Sequence, residues 1–370
     1  MKFYCNQQDI LNEIAFSMDF TQQRNSLSIL SNVYLETRNN TLTIKATDTM
    51  MGFSTQIPVE TVEEGNTTIF GEKFLDILKL LPNTKIAFET KDKMMTIVPE
   101  DSEVNFNSSL RIIDGSEFPA LESNGDNPFF TVGQNAFISM ADKTIFAVCT
   151  DDTRHYLCGL YLEKNETGMN LVATDGRRLS MVSRKFEEDI PDFKPILIPQ
   201  KFFLELKKIS TGEGPLDLCI LENIIFAKIG TRFIYSTLVK GTYPDYRRVI
   251  PPEQQYHCTI KTKDMVDAIK RVSVSIENKD SKLYLDLHTN EIRLFSDENE
   301  FGKATERIDC IYEGDDCTIC LNYQYLLSPL KVMESETFTL NFTNPTKAVT
   351  ICPVGDFDYF HLVMPMQSGN

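Results

Sequence analysis

Hydrophobic and polar positions along the chain follow two periods, one of two residues and one of about 3.6 residues. Runs such as "LYLEKN" and "NLVATD" alternate apolar and polar residues, which predicts half-buried strands. Apolar residues at helical spacing predict six helices, over residues 11–20, 71–81, 135–148, 200–209, 261–274 and 323–333. Because alternating runs greatly outnumber these segments, the pattern predicts an α+β protein with a large excess of antiparallel strand.

The same order of elements occurs three times along the chain. A hairpin in each copy begins with an apolar residue and Tyr-Leu-Glu or Tyr-Leu-Asp, and its tyrosines are Tyr34, Tyr161 and Tyr284. A strand and a helix precede each hairpin, another strand and helix follow it, and each copy closes on an apolar residue and a proline. The pattern predicts three repeated domains, over 1–124, 125–252 and 253–370, each of two strand-helix-strands half-units.

The hairpin of the second copy contains "ATDGRRLS", in which Asp175 and Gly176 both tolerate the positive φ of a tight turn. Two arginines, Arg177 and Arg178, follow this turn directly. The corresponding stretches of the other copies, "TDTMMG" and "SDENEFG", contain no arginine. The turn therefore belongs to the repeated fold, whereas the arginines distinguish the second copy as the one that carries a site.

The net charge of −16 argues, as a total, against a nucleic-acid-binding protein. The six helical segments nevertheless contain 11 Lys and Arg against 8 Asp and Glu, so the rest of the chain has a net charge of −19. This distribution has two interpretations. Either lysine simply favours helices, or the helices share a surface that faces a polyanion while the outside is acidic.

Ring geometry relates the helix count to duplex DNA. Six helix axes about 10 Å apart would enclose a hole of only about 9 Å, whereas twelve would leave about 28 Å. A duplex about 20 Å wide fits only the larger hole. A chain with six helices would therefore have to dimerise to encircle DNA.

Catalytic and metal-binding chemistry find little support. The nine cysteines are scattered, which indicates reduced thiols. The sequence shows neither a signal-peptide pattern nor an apolar run of membrane-spanning length, so we expect a cytoplasmic protein without membrane contact. Cys317 and Cys320 lie on a predicted strand, where residues three apart point to opposite faces. We interpret Asp48, Asp175 and Asp297 as turn residues, and we expect no enzyme activity, metal or cofactor.

Several of these stretches together resemble the bacterial DNA polymerase III beta subunit, the sliding clamp. They are "ATDGRRLS", "YPDYRRVIP", "VMPM", "RNSLSILSNVYLE", "RHYLCGLYLE" and "LNYQYLL", and the resemblance extends over the whole chain. It implies a DNA clamp fold and a head-to-tail homodimer. In that ring the six helices of each chain line the hole, and antiparallel sheets form the outer wall.

The resemblance also implies a non-catalytic processivity factor that binds double-stranded DNA independently of sequence. It would tether the DNA polymerase III alpha subunit, other clamp-binding polymerases and repair proteins, and a clamp loader would open and close it. The partners would share a peptide-binding groove formed by Leu157, Thr174, Gly176, Arg178, Leu179, Pro244, Arg248, Val249, Asn322, Tyr325, Thr346, Ala348, Val363, Met364, Pro365 and Met366. Arg177 is not assigned to this groove and is expected on the surface.

Two further sets of residues follow from the resemblance. The candidates for DNA contact are Arg24, Arg154, His155, Tyr156, Lys279 and Lys282, and those for the dimer interface are Phe106, Val274 and Ile276. Two rival functions remain at this point. One is a three-domain protein-binding scaffold that does not encircle DNA, and the other is a hydrolase that uses the repeated aspartates.

Overall fold

The structure is a computed structural model and describes residues 1–22, 28–100, 103–277, 281–300, 302–356 and 358–367. Within these ranges the chain forms six α-helices and 25 strands. The helices α1–α6 are Gln7–Ser17, Gly71–Leu80, Gln134–Asp142, Gln200–Ile209, Thr262–Ser273 and Tyr323–Val332. None of them is long and apolar enough to cross a membrane.

The strands occur in three groups along the chain. β1–β9 are Lys2–Asn6, Asn32–Arg38, Thr41–Thr47, Met51–Pro58, Glu60–Glu63, Gly65–Phe70, Lys85–Lys91, Met94–Pro99 and Ser108–Asp114. β10–β17 are Phe130–Gly133, Gly159–Lys164, Gly168–Thr174, Arg178–Lys185, Ile196–Pro199, Pro215–Ile220, Ile224–Ile229 and Arg232–Thr237. β18–β25 are Tyr256–Lys261, Lys282–His288, Glu291–Phe295, Thr305–Ile311, Cys317–Asn322, Thr337–Phe342, Val349–Pro353 and Tyr359–Val363.

Two of the six predicted helices have an end more than one residue from the one expected. The first begins at Gln7, before the apolar pattern starts, because the backbone N–H of this buried residue donates to Thr84 O (3.0 Å) and its side chain to Leu78 O (2.6 Å). The third ends at Asp142 and not at residue 148. Thr144 there leaves helical geometry, and its hydroxyl donates to Met140 O (2.8 Å).

The chain divides into two compact units. The first unit contains residues 1–134 and 201–238, and the second contains residues 135–200 and 239–370. All strand pairs are antiparallel, and each unit has one sheet. The order is β10-β15-β16-β17-β4-β3-β2-β6-β9-β8-β7-β1-β5 in the first unit and β14-β11-β12-β13-β25-β24-β23-β18-β21-β20-β19-β22 in the second.

These units cut through the second predicted copy because strands pair across the copy boundaries. β17, from the second copy, pairs with β4 of the first copy, Phe233 lying opposite Ser54. β25, from the third copy, pairs with β13 of the second, Val363 lying opposite Arg178. A continuous hydrogen-bonded sheet therefore joins parts of neighbouring copies into one compact body.

The internal repeat predicted from the sequence is present in the strand register. The three tyrosines occupy equivalent places in β2, β11 and β19, each between a hairpin partner and a strand on the other side. The register places Tyr34 between Lys45 and Thr68, Tyr161 between Val172 and Leu197, and Tyr284 between Phe295 and Cys320.

The turn of the repeated hairpin differs from the one its Asp-Gly pair suggests. Only Gly176 has a positive φ, of 85°, whereas Asp175 accepts backbone N–H bonds through its side chain. The first copy builds the same turn on Asp48, with Thr49 at φ 79° in the glycine position. The side chain of the aspartate therefore organises this turn in both copies.

The hydrophobic cores lie under amphipathic helices. α5 buries Met265, Ala268, Ile269 and Val272, which share one helical face, in a core that also contains strand residues of the third copy. A separate core in the first unit takes residues from β1, β2, β3 and the inward faces of α1 and α2.

Candidate functional site

The β12–β13 hairpin fixes Arg178 at the surface of the second unit. Asp175 Oδ2 accepts from Arg178 Nε (3.0 Å), and the guanidinium lies 4.4 Å from the centroid of the Tyr325 ring. Only 13% of the Arg178 side chain is exposed. Because the ion pair and the ring both restrict it, Arg178 is a rigid side chain and not a freely moving cation.

His361 lies buried beside this arginine. It is opposite Ser180 in the β13–β25 pair, and its ring centroid is 5.5 Å from that of Phe146. Burial, together with the positive charge of Arg178, lowers the pKa of His361 to about 3. The histidine is therefore neutral at physiological pH, and the arginine is the positive charge at this place.

The buried histidine predicts a pH-dependent stability. Its folded-state pKa lies below its usual value of about 6.5, so between about pH 6.5 and pH 3 the unfolded chain binds more protons and stability rises with pH. We expect His361→Leu to remove a slope of about 1.4 kcal/mol per pH unit in this window. Urea unfolding at several pH values measures this slope, with His257→Gln at an exposed histidine as the control. Equal slopes in the native protein and His361→Leu would contradict the assignment.

Three further predicted groove residues lie on the segment that closes the second copy. Tyr243 stacks on Tyr161, with centroids 4.7 Å apart, and Tyr246 donates its hydroxyl to Glu163 Oε1 (2.6 Å). Burial and the hydrogen bond to Glu163 raise the pKa of Tyr246, which keeps its proton on the hydroxyl. The two buried tyrosines turn Pro244, Arg248 and Val249 outward, where all three are exposed.

The first turn of α6 lies beside Arg178. The Asn322 side chain caps the helix by accepting from Gln324 N (2.9 Å) and Tyr325 N (3.3 Å). Since Tyr325 belongs to the first turn of this helix, the cap also fixes the ring on which the arginine lies.

The C-terminal tail runs between the hairpin and β22. Met364 N donates to Arg177 O (2.9 Å), and Met366 N donates to Cys320 O (2.8 Å). These two bonds hold the "MPM" stretch in an extended path, with 43% of Met364 exposed. An adaptable apolar side chain is thus exposed beside the β12–β13 hairpin.

An open depression of about 1250 Å³ lies along this tail. Its lining includes six of the predicted groove residues, namely Asn322, Tyr325, Thr346, Met364, Pro365 and Met366. Four others are buried, namely Leu157, Thr174, Leu179 and Val363. The described lining does not include Arg178, Pro244, Arg248 or Val249. Ala348 packs in the same cluster as Leu157 and Leu179, and Gly176 is exposed at the turn.

The depression also contains residues that the sequence did not assign to a groove. They are Arg177, Lys282, Tyr284, Thr318, Cys320, Pro345 and Gln367. Lys282 had been expected at DNA, and Arg177 had been expected only on the surface. The pairing of Lys282 with Asn322 across β19 and β22 brings it here, and only this long-range register could have revealed its position.

Three other candidates for DNA contact, Arg154, His155 and Tyr156, lie in the segment before β11. Arg154 Nη1 donates to Asp175 O (2.7 Å), and its Nε pairs with Asp151 (3.2 Å). His155 is exposed, and the half-buried Tyr156 packs edge-on against it. Arg24 and Lys279 lie outside the described residues.

The candidates for a dimer interface lie in both units. Phe106 is half-buried against the core of the first unit. Val274, directly after α5, is 85% exposed, and Ile276 is half-buried against the core of the second unit. Val274 is therefore an apolar side chain that its own chain leaves in solvent.

The described residues contain no group of three or more His, Cys, Asp or Glu side chains arranged to hold a metal ion. Cys317 and Cys320 lie on β22, as expected, and Cys320 is buried. Asp48 and Asp175 accept backbone N–H bonds in their turns, and Asp297 accepts from the Tyr284 hydroxyl (3.1 Å). The repeated aspartates thus have separate structural roles.

Comparison with known proteins covers the whole chain. Three family models match in order: DNA polymerase III beta subunit, N-terminal domain (residues 1–122), central domain (131–245) and C-terminal domain (247–367). The beta sliding clamp of Treponema pallidum is 33% identical over 100% of both chains. That of Escherichia coli K12 is 28% identical over 99% of this chain and 100% of its own.

The fold agrees as well. A crystal structure of the DNA polymerase III subunit beta from Pseudomonas aeruginosa superimposes with a TM-score of 0.92, at 26% identity and over 100% of both chains. These similarities confirm the three-domain clamp fold and support the function of a DNA sliding clamp. The chain belongs to the beta sliding clamp family, the beta subunit of DNA polymerase III.

Proposed function

We propose that this sliding clamp works as a head-to-tail homodimer whose ring encircles duplex DNA and tethers partner proteins through the groove around Met364. The observation that carries the proposal is the strand pairing across copy boundaries within one chain. β17 pairs with β4, and β25 pairs with β13. Each pair joins the last strand of one copy, β17 or β25, to a strand in the first half of the copy before it, β4 or β13.

Two strand segments, one in the first copy and one in the third, lack such a partner within the described chain. In the first copy, Ser108–Arg111 of β9 pair only with β8 among the described strands. In the third copy, Thr305–Asp309 of β21 pair only with β20. A second chain would supply a strand partner for each of these two segments, and two such seams would close the ring.

The seam would also cover apolar side chains that a single chain exposes. Val274 is 85% exposed and Ile311 on β21 is 69% exposed. We assign Phe106, Val274 and Ile276 to this interface, with copy boundaries at 1–124, 125–252 and 253–370. Burial of such side chains supplies the usual driving force for association.

DNA would lie inside the ring against the helices, contacted at its phosphates only. Lysines and arginines on α4 and α5 carry much of the basic charge of the helices, and several pair with neighbouring carboxylates, as Lys208 does with Asp19 (2.8 Å). Contacts to phosphates alone carry no sequence information, which permits sliding. Arg24, Arg154, His155, Tyr156, Lys279 and Lys282 are the candidates at the loops.

The groove would bind short peptides of the polymerase III alpha subunit, other polymerases, repair proteins and the clamp loader. Tyr325 and the adaptable Met364 line the depression, and the rigid Arg178 lies against the Tyr325 ring. A site of this kind depends on a few anchoring side chains and not on a large area. We further propose that the protein has no catalytic activity of its own and acts in the cytoplasm.

The decisive experiment combines mass and topology. We expect a solution mass of twice the 42.3 kDa of one chain, and retention on nicked circular DNA that is lost when the circle is linearised. Val274→Glu should give a monomer that is not retained, because it places a charge in the seam but leaves the folded chain intact. Val354→Glu, at another exposed valine, is the control. A native monomer, or equal retention on linear DNA, would favour a scaffold that does not encircle DNA.

A further inference from the structure

We propose that the depression beside the tail recognises acidic side chains of the partner peptide through Arg177 and Lys282. The inference rests on the proposed groove function and specifies the partner that this groove selects. It begins with the charges of the lining. The chain has a net charge of −16, but among the described residues that line the depression only Arg177 and Lys282 are charged, and both are cations.

Arg177 differs from its neighbours in having no carboxylate. Arg178 pairs with Asp175, Arg154 with Asp151 and Arg248 with Asp245. Among the described residues, no ion pair involves the exposed guanidinium of Arg177. The backbone of the residue is nevertheless fixed, because Met364 N donates to its carbonyl (2.9 Å). A positioned cation without a partner favours an external anion.

Lys282 is likewise without an ion-pair partner in the described part of the chain. It begins β19 opposite Asn322, and its charge opposes the effect of burial, which raises the pKa of the neighbouring Cys320 thiol. Two carboxylates of the neighbouring strands are already bound by other groups. Asp286 pairs with Arg293 and accepts from the Thr318 hydroxyl (2.9 Å), and Asp297 accepts from Tyr284.

The apolar residues between the two cations indicate a peptide. Tyr325, Met364, Pro365 and Met366, which we call the apolar strip, line the same depression. A segment with apolar anchors and adjoining Asp or Glu side chains would fill the strip and place its carboxylates at the two ends. A duplex would use the charges but not the strip, so an acidic peptide accounts for more of the lining.

Two matched peptides test the inference. Both are dye-labelled, amidated at the C-terminus and built on the same Leu-Leu-Phe anchors, but one carries two glutamates beside the anchors and the other two glutamines. Amidation removes the terminal carboxylate as an alternative anion. In fluorescence anisotropy at low salt we expect the acidic peptide to bind about 5- to 10-fold more tightly, with a smaller difference at high salt.

Variants of the chain identify the cations. Arg177→Gln combined with Lys282→Gln should make the two affinities equal, whereas Lys347→Gln, at an exposed lysine outside the lining, should keep the preference. Equal binding of both peptides to the native protein would overturn the preference for acidic peptides, whereas the proposed peptide-binding groove would stand. Failure of both peptides to bind would overturn the groove and the inference with it. A double variant that keeps the preference but loses retention on circular DNA would assign these cations to DNA instead.

Discussion

Replacing Arg178 and Met364 together by alanine is expected to weaken the binding of a peptide from the polymerase III alpha subunit by at least about 100-fold. Met364 supplies an exposed apolar side chain of the depression, and Arg178 holds the Tyr325 ring and the Asp175 turn in place. Loss of both removes an anchor and the rigidity of the surface around it. Calorimetric titration with the peptide measures the effect.

The oligomeric state should not change in this double variant, because neither residue lies at the proposed seam. Arg38→Ala combined with Met50→Ala is a matched control, since it removes an exposed arginine and an exposed methionine from the first unit. We expect native affinity for that control. If the Arg178 and Met364 variant bound the peptide as the native protein does, the groove would have to be placed elsewhere.

Glu163→Ala is expected to lower the free energy of unfolding by about 3 kcal/mol. The buried carboxylate accepts from the Tyr246 hydroxyl (2.6 Å), from Asn170 Nδ2 (3.0 Å) and from Arg247. Without it, the tyrosine and asparagine donors stay buried with no acceptor, whereas the more exposed arginine can turn to water. Urea unfolding of the native protein and the variant gives the difference.

Two further variants separate the hydrogen bonds from the charge. All three donors use Oε1 of Glu163, so Glu163→Gln can keep them and should cost only about 1 kcal/mol. Glu166→Ala, at an exposed position on the next turn, should change stability by less than about 0.5 kcal/mol. A loss in Glu163→Ala no greater than in Glu166→Ala would mean that the network does not hold the Tyr246 segment.

The sequence revealed the fold more completely than the site, for a physical reason. Alternation and helical spacing are local, so the three hairpins and all six helices could be predicted from them. Capping and side-chain bonds to distant carbonyls, such as those of Gln7 and Thr144, are less visible and shifted two helix ends. The turn at Asp175 was expected from its residue types, but a side-chain acceptor determines its form.

The proposed groove depends on contacts between residues far apart in the chain. Only the family resemblance predicted a groove role for Arg178, because its position over Tyr325 requires the fold of two copies. Arg177 and Lys282 were not expected in the depression, since neither the tail that bonds to Arg177 nor the β19–β22 register is visible in local patterns. Side chains that meet through tertiary pairing are the part that sequence reading cannot supply.

The strand pairing between copies has a consequence for how the chain can unfold. Since β10 and β15–β17 belong to the sheet of the first unit and β11–β14 to that of the second, the middle copy has no sheet of its own. It should show no separate melting transition, because each half is cooperative with a different neighbour. A fragment limited to residues 125–252 would expose the edges of β17 and β13 and should aggregate through them. Repetition of a domain has here produced three copies in sequence but not three independent folding units.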